Sequence, residues 1–325
     1  LLGKSGLRVS ELCLGAMTFG VDWGKFLRGS SKEESKEIFD LFVDVGGNFI
    51  DTANNYQNGT SEKYVGEFIA SERQKFVLAT KYTLTTNPND PNASGNHRKN
   101  LLQSVDASLE RLDTEYIDLL WVHAWDYMTP IEELIRSLDD VIRSGKVLYV
   151  GISDAPAWVV AKANTMSELR GWSPFIGLQI MYSLLERTPE RELLPMARHL
   201  NIGVTAWSPL GGGVLSGKYN KEIQEQKRFD PDNPMTPGFV NEKNLSIAYE
   251  VQEIAKEMRK TPSQVALSWL RHRSDKEVII PIVGARTQAQ MKDNLGSLDL
   301  NLSSDQLKRL DDVSKIELGF PNDFL

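Results

Sequence analysis

Four residues of unlike chemistry follow short apolar runs: Asp51 after Phe49-Ile50, Tyr56 shortly beyond it, Lys81 after Ala79-Thr80, and His123 after Leu120-Trp121-Val122. A charge at the end of such a run lies near low-dielectric surroundings, where an unpaired ion is costly, so Asp51 and Lys81 are expected to seek each other. A tyrosine phenol ordinarily titrates at about 10, and an ammonium beside it lowers the cost of its phenolate and tunes proton exchange toward neutral pH. Together the four make a proton-delivery device that needs no metal, with Tyr56 giving the proton, Lys81 tuning it, Asp51 pinning Lys81 and His123 facing the same opening. Singly, each has a plainer use: a turn, a snorkelling cation, a packing ring, a satisfied strand-end histidine.

Such a device needs elements that bring distant strand ends to one place. Short β-rich apolar runs alternate here with longer amphipathic segments, the pattern of βα units on a parallel sheet. Eight runs are found: Glu11 to Gly15, Asn48 to Ala53, Phe76 to Lys81, Ile117 to His123, Val147 to Ser153, Phe175 to Gln179, Ile202 to Ser208 and Val278 to Gly284. Their continuous apolar character suits strands covered on both faces. Helix starts are marked by Ser31 with Glu34, Thr129-Pro130-Ile131-Glu132, Thr261-Pro262-Ser263-Gln264 and Thr287 with Gln290, and stops by Gly46 and Gly145. Eight strands alternating with helices favour a (β/α)8 TIM barrel, α/β in class, occupying 1–325 as one domain. Leu2 to Val9 reads as an N-terminal β-hairpin plugging one end. Gly211 to Asn241 reads as a long excursion, a candidate lid. A Rossmann domain would need Gly-x-Gly-x-x-Gly after the first strand, and Gly15-Ala16-Met17-Thr18-Phe19-Gly20 has the wrong spacing.

Composition narrows the partners. The net charge is -7 and no basic stripe or tail appears, so nucleic acid is not an expected partner. One cysteine, Cys13, cannot form an internal disulfide, and the four histidines show no metal-ligand spacing with it. No apolar run approaches the ~18 residues of a membrane span, and the first residues lack the pattern of a signal peptide. These features point to a cytoplasmic protein without a membrane partner and without a metal. Nothing in the sequence specifies an oligomeric state.

The surrounding text resembles the aldo-keto reductase superfamily nearly end to end. Gly46-Gly47-Asn48-Phe49-Ile50-Asp51-Thr52-Ala53-Asn54-Asn55-Tyr56 looks like that family's Asp and Tyr segment, Ala79-Thr80-Lys81 like its Lys segment, and Ile117-Asp118-Leu119-Leu120 running to His123 like its His segment. The resemblance implies NADPH-dependent reduction of a small aldehyde or ketone, with Tyr56 as general acid and His123 orienting the carbonyl. Gly151-Ile152-Ser153 and Gln179 resemble contacts to the nicotinamide carboxamide. Asp154 departs from the usual Asn, and an ionised carboxylate accepts hydrogen bonds without donating them. Trp207-Ser208-Pro209-Leu210-Gly211 looks like the segment after strand seven, implying a stack of Trp207 on the nicotinamide and pyrophosphate contacts from Ser208, Leu210 and Gly211, with Lys218 counted among the cofactor positions. Gly284-Ala285-Arg286-Thr287, followed by Gln290 and Asn294, implies NADP over NAD, since Arg286 precedes a helix start where phosphate is favoured.

Phe19, Trp23, Tyr82, Trp125 and Trp207 lie at or just beyond strand ends, which suggests an aromatic-walled substrate pocket. Two other readings compete with a carbonyl reductase. The potassium-channel β subunits, which resemble the same superfamily, suggest a cofactor-binding regulatory or redox-sensing subunit. A metal-dependent barrel hydrolase or isomerase would need a His/Asp/Glu ligand cluster that the sequence does not offer.

Overall fold

All eight apolar runs fold as strands: β1 (Cys13–Gly15), β2 (Phe49–Asp51), β3 (Val77–Tyr82), β4 (Ile117–Val122), β5 (Val147–Ser153), β6 (Phe175–Met181), β7 (Gly203–Trp207) and β8 (Ile279–Val283). The computed structural model describes residues 1–24, 28–219, 236–273 and 278–325. Each strand pairs in parallel with the next and β8 pairs with β1, so the sheet closes into a barrel. Helices α1 (Lys32–Asp44), α2 (Thr60–Ile69), α3 (Arg98–Leu112), α4 (Ile131–Arg143), α5 (Ala157–Arg170) and α6 (Leu193–His199) follow strands β1 to β6 in turn. Between β7 and β8 come α7 (Thr236–Phe239), α8 (Glu242–Met258) and α9 (Pro262–His272), and α10 (Gln288–Leu295) and α11 (Ser304–Val313) follow β8. Of the excursion at 211–241, residues 220–235 lie outside the described residues.

Strand alternation separates two cores. Phe49, Val77, Ala79, Leu119, Trp121 and Ile280 fill the barrel, while Ile50, Leu78, Leu120, Val122 and Ile152 face the helices. The barrel interior is closed by one large ring. Trp121 pairs with Gly151, and Gly151 with Gly177. A Cβ on Gly151 would come 2.3 Å from the indole and one on Gly177 2.7 Å, so only glycine leaves room there. Burying that indole contributes on the order of 5 kcal/mol, taking ~200 Å² at ~25 cal/mol per Å².

The N-terminal segment seals the barrel from below without forming the expected β-hairpin. Leu2 is fully buried among the barrel-interior residues, and residues 2–7 fold into a turn in which Leu2 N–H donates to Leu7 C=O at 3.0 Å, with no strand ladder. Gly3, at φ +52, passes so close to the Ile176 carbonyl that a side chain there has no space. With its backbone pressed against β6 and β7, the segment has no partner strand beside it.

The helix signals hold at three of the four starts. Ser31 and Glu34 form a reciprocal capping box, as do Thr261 and Gln264, and the Thr287 hydroxyl accepts from Gln290 N–H. Thr129 does not cap α4: Pro130 occupies the cap position, and the Thr129 hydroxyl donates to Asp126 Oδ2 at 2.7 Å. Asp126 takes both the Thr129 N–H and the Thr129 hydroxyl, which ties Thr129 into the loop before the helix, and the helix begins after Pro130.

Candidate active site

Asp51, the last residue of β2, points into the barrel mouth, and Lys81 stands on the adjacent inward position of β3, entirely buried. Its ammonium donates to Asp51 Oδ2, to the Thr52 carbonyl at 2.8 Å and to Tyr56 OH at 3.2 Å. Three donors meet three acceptors, so the buried cation is satisfied. The second Asp51 oxygen accepts from Gln179 Nε2 at 3.0 Å, which fixes the carboxylate from the far side of the barrel.

Tyr56 opens a short 3-10 turn, Tyr56–Gly59, in which Gln57 and Asn58 take left-handed backbone angles. The Gln57 side chain accepts from Trp23 N–H at 2.9 Å and donates to the Met17 carbonyl at 3.2 Å, tying this turn to the loop after β1. His123 follows β4, with its ring 5.8 Å from that of Tyr56 and nearly perpendicular to it.

The charges follow from these contacts. Burial pushes the Tyr56 phenol above its ordinary value, while the Lys81 ammonium pulls it the other way. Burial works against the charge on Lys81, but Asp51 and Tyr56 outweigh it and hold the ammonium above the ordinary lysine value. Burial, aided by the positive Lys81, holds His123 well below its ordinary value. The site therefore presents a protonated phenol, a fixed ammonium and a neutral imidazole. Burial prevails over the cation, so the phenol is held protonated and not tuned toward neutral pH as expected, while Lys81 still lowers the cost of the phenolate it would leave.

The aldo/keto reductase family model matches residues 11–315 of this chain. The chain belongs to the aldo-keto reductase family. Among curated relatives, norsolorinic acid reductase stcV of Emericella nidulans is 38% identical over 328 residues, covering 99% of this chain and 82% of the relative. Putative aryl-alcohol dehydrogenase AAD14 of Saccharomyces cerevisiae is 37% identical over 331 residues, 99% of this chain and 87% of the relative. Aldo-keto reductase ausK of Emericella nidulans is 37% identical over 332 residues, 98% of this chain and 82% of the relative. Carbonyl reduction is the chemistry for which an aldo-keto reductase is named, and the chain is an oxidoreductase of that family.

In this aldo-keto reductase the expected cofactor positions fall into two groups around the mouth. Near the tetrad, Ser153 is buried beside Gln179 in the β5–β6 register, and Gln179 is engaged by Asp51. Asp154 takes a left-handed backbone, φ +41, and its Oδ1 accepts from the Trp207 indole N–H at 3.1 Å. Burial pushes the Asp154 carboxyl up, against the indole bond and Lys81. Trp207 ends β7, Ser208 follows at φ +51, and Gly211 N–H donates back to the Ser208 carbonyl at 2.8 Å, with Leu210 half-buried between them.

Farther out, Lys218, Arg286, Thr287 and Gln290 line a cavity of about 180 Å³ together with Arg28, Gly29 and Glu34. It lies at the N-terminal end of α10, where backbone N–H groups favour an anion. Gln290 Oε1 accepts from Arg286 N–H at 2.9 Å, and Asn294 Nδ2 donates to the Gly284 carbonyl at 3.4 Å, so both hold the loop backbone. Arg28 was not among the sequence candidates, since a lone arginine in a glycine-flanked loop carries no signal of its own.

The aromatic wall is corrected in part. Trp23 packs edge-on against Tyr56 at 6.0 Å, and Trp125 packs against Tyr127 at 6.4 Å beyond β4. Phe19 and Tyr82 do not belong to the wall. Tyr82 is adjacent to Lys81 on β3, so alternation turns it to the helix side, where its hydroxyl donates to the Asn96 carbonyl at 3.1 Å. Phe19 is fully buried against Phe68 of α2. Among the described residues no three His, Cys, Asp or Glu side chains gather as a metal site, and no helix is long and apolar enough to cross a membrane.

Proposed function

We propose that this chain is an NADPH-dependent reductase of aryl aldehydes or ketones, with Tyr56 as general acid. The observation that carries the reading is the way Lys81, wholly buried, divides its donors among Asp51, the Thr52 carbonyl and the Tyr56 hydroxyl. The ammonium offsets part of what burial costs the phenolate, so the phenol keeps its proton until the carbonyl oxygen draws it. The chemistry that NADPH would supply when bound is a hydride for the carbonyl carbon. Tyr56 gives its proton to the carbonyl oxygen, and the neutral His123 orients that oxygen by hydrogen bonding, so the carbonyl gains one hydride and one proton and leaves as an alcohol.

The residues around the mouth fit the cofactor. Arg286, Lys218 and Arg28 line one anion-favouring cavity at a helix start, which suits a 2′-phosphate and favours NADP over NAD. Trp207, held edgewise by Asp154, offers an aromatic face for the nicotinamide, and Ser153 and Gln179 offer polar groups nearby. With Asp51 occupying the Gln179 amide, Gln179 serves the tetrad and the carboxamide from one side chain. For the substrate, Trp23, packed on Tyr56, and Trp125, two residues beyond His123, are the proposed aromatic walls, and relatives named for aryl alcohols and norsolorinic acid support an aromatic carbonyl. A reducing cytosol suits the buried lone thiol of Cys13.

The test is NADPH oxidation with a panel of substituted benzaldehydes and acetophenones. Wild type turns over repeatedly, and Tyr56→Phe loses about 10²- to 10⁴-fold in kcat while binding NADPH normally. Full turnover by Tyr56→Phe would refute the acid assignment. Oxidation that stops after one equivalent of NADPH would favour a redox-sensing subunit.

A further inference from the structure

His123 has an unusual form of support. Its Nδ1 is buried without a partner, so no hydrogen bond at that nitrogen aims the imidazole. What holds the residue is its backbone. The His123 N–H donates to the Tyr82 carbonyl at 3.0 Å and also reaches the Thr83 hydroxyl oxygen at 3.3 Å. The Ala124 carbonyl, one residue on, accepts from Asn96 Nδ2 at 2.9 Å.

Thr83 and Asn96 are themselves tightly built. Thr83 is a β-branched residue at φ +113, a conformation that glycine adopts freely and threonine does not. Its hydroxyl accepts from Asn96 Nδ2 at 3.0 Å, and its carbonyl accepts from Gly95 N–H at 2.8 Å. Asn96 is fully buried and uses all its polar groups. Beyond its two Nδ2 donations, its Oδ1 accepts from Asp126 N–H at 2.8 Å, its N–H donates to Asp126 Oδ2 at 2.7 Å and its carbonyl accepts from Tyr82 OH. A strained threonine where glycine would be relaxed persists because its hydroxyl is used, and its two hydroxyl partners are Asn96 and the backbone of His123.

We infer that Thr83 and Asn96 are positioning residues that set the direction of the His123 imidazole, acting through the backbone on either side of it. The inference rests on the carbonyl reduction proposed above, in which His123 orients the substrate oxygen. Small misplacements of such a group lower the rate of the chemical step without touching the cofactor, because Thr83 and Asn96 lie on the β3 and β4 side of the mouth, away from Arg286 and Lys218.

The test is a double-mutant cycle with NADPH and 4-nitrobenzaldehyde. Thr83→Val removes the hydroxyl and keeps the branched shape; it is expected to lower kcat about 10- to 100-fold with NADPH affinity unchanged. Thr83→Ser is expected to restore kcat to within about three-fold of wild type, which a merely structural role for the methyl group would not allow. In a His123→Ala background, Thr83→Val is expected to cost less than about two-fold. Should valine not fold, Thr83→Ala removes the same hydroxyl without adding bulk. Equal losses in the two backgrounds, failure of serine to restore the rate, or a parallel loss of NADPH binding would each overturn the inference alone. Wild-type turnover by His123→Ala by itself would overturn the proposed reaction, and the inference with it.

Discussion

Replacing Lys81 by Met separates the electrostatic account of this site from a purely steric one. The Lys81 ammonium lies 3.2 Å from the Tyr56 hydroxyl. At an effective dielectric of about 20, a unit charge at that separation stabilises a full phenolate by roughly 5 kcal/mol. If about half of that charge has developed in the transition state, roughly 2 to 3 kcal/mol is lost, or about 10²-fold in kcat. The pH dependence has a definite sign. Burial raises the Tyr56 phenol and Lys81 opposes it, so without Lys81 the phenol rises further. The proposed reduction needs the protonated phenol, and its rate is then expected to fall as pH rises through that value. In Lys81→Met the alkaline limb therefore moves to higher pH while the plateau drops. The same change leaves Asp51 buried with Gln179 as its remaining side-chain partner, a defect worth about 3 to 5 kcal/mol of stability. Adding Asp51→Asn removes the orphan charge and is expected to restore the melting temperature without restoring the rate. The assay is steady-state NADPH oxidation against pH, with calorimetry on the same samples. A folded Lys81→Met enzyme with an unchanged profile and a plateau within about three-fold of wild type would refute the reasoning.

Gly151→Ala puts a methyl 2.3 Å from the Trp121 ring and is expected to destabilise by about 1 to 3 kcal/mol; combining it with Trp121→Phe should recover part of that in denaturant unfolding, and independent, additive losses would count against the contact. His123 is held well below its ordinary value by burial and Lys81, so the unfolded chain binds a proton below about pH 6.5 that the folded chain refuses. Its contribution is present above that pH and lost as pH falls through the window, and unfolding of His123→Phe should show a flatter pH dependence there; an identical slope would contradict it. Arg286→Ala should raise the NADPH Michaelis constant about 10-fold or more while leaving that for NADH nearly unchanged, a selectivity read directly from parallel kinetics.

The strands were legible because a parallel barrel buries each of them on both faces, which writes an uninterrupted apolar run into the sequence. Asp51, Lys81 and His123 were legible for the complementary reason that polar residues directly after such runs are conspicuous. What the linear text hides is direction and long-range pairing. Tyr82 follows Lys81 immediately, yet alternation sends it to the other side of the sheet, and Phe19 is drawn outward by Phe68. The partner of Asp51 at Gln179 lies 128 residues away, and nothing local announces it. Thr129 carried a sound capping signal, but Asp126 binds its N–H and its hydroxyl within the loop and the helix starts after Pro130. Thr83 and Asn96 look like ordinary loop residues until a backbone angle and a full set of hydrogen bonds single them out.

Trp121, wedged over two glycines, and the Leu2 turn beneath it make the barrel a cul-de-sac. Whatever reaches Tyr56 must arrive and depart through the same doorway. For the proposed reaction, the alcohol leaves through the opening by which the carbonyl compound entered.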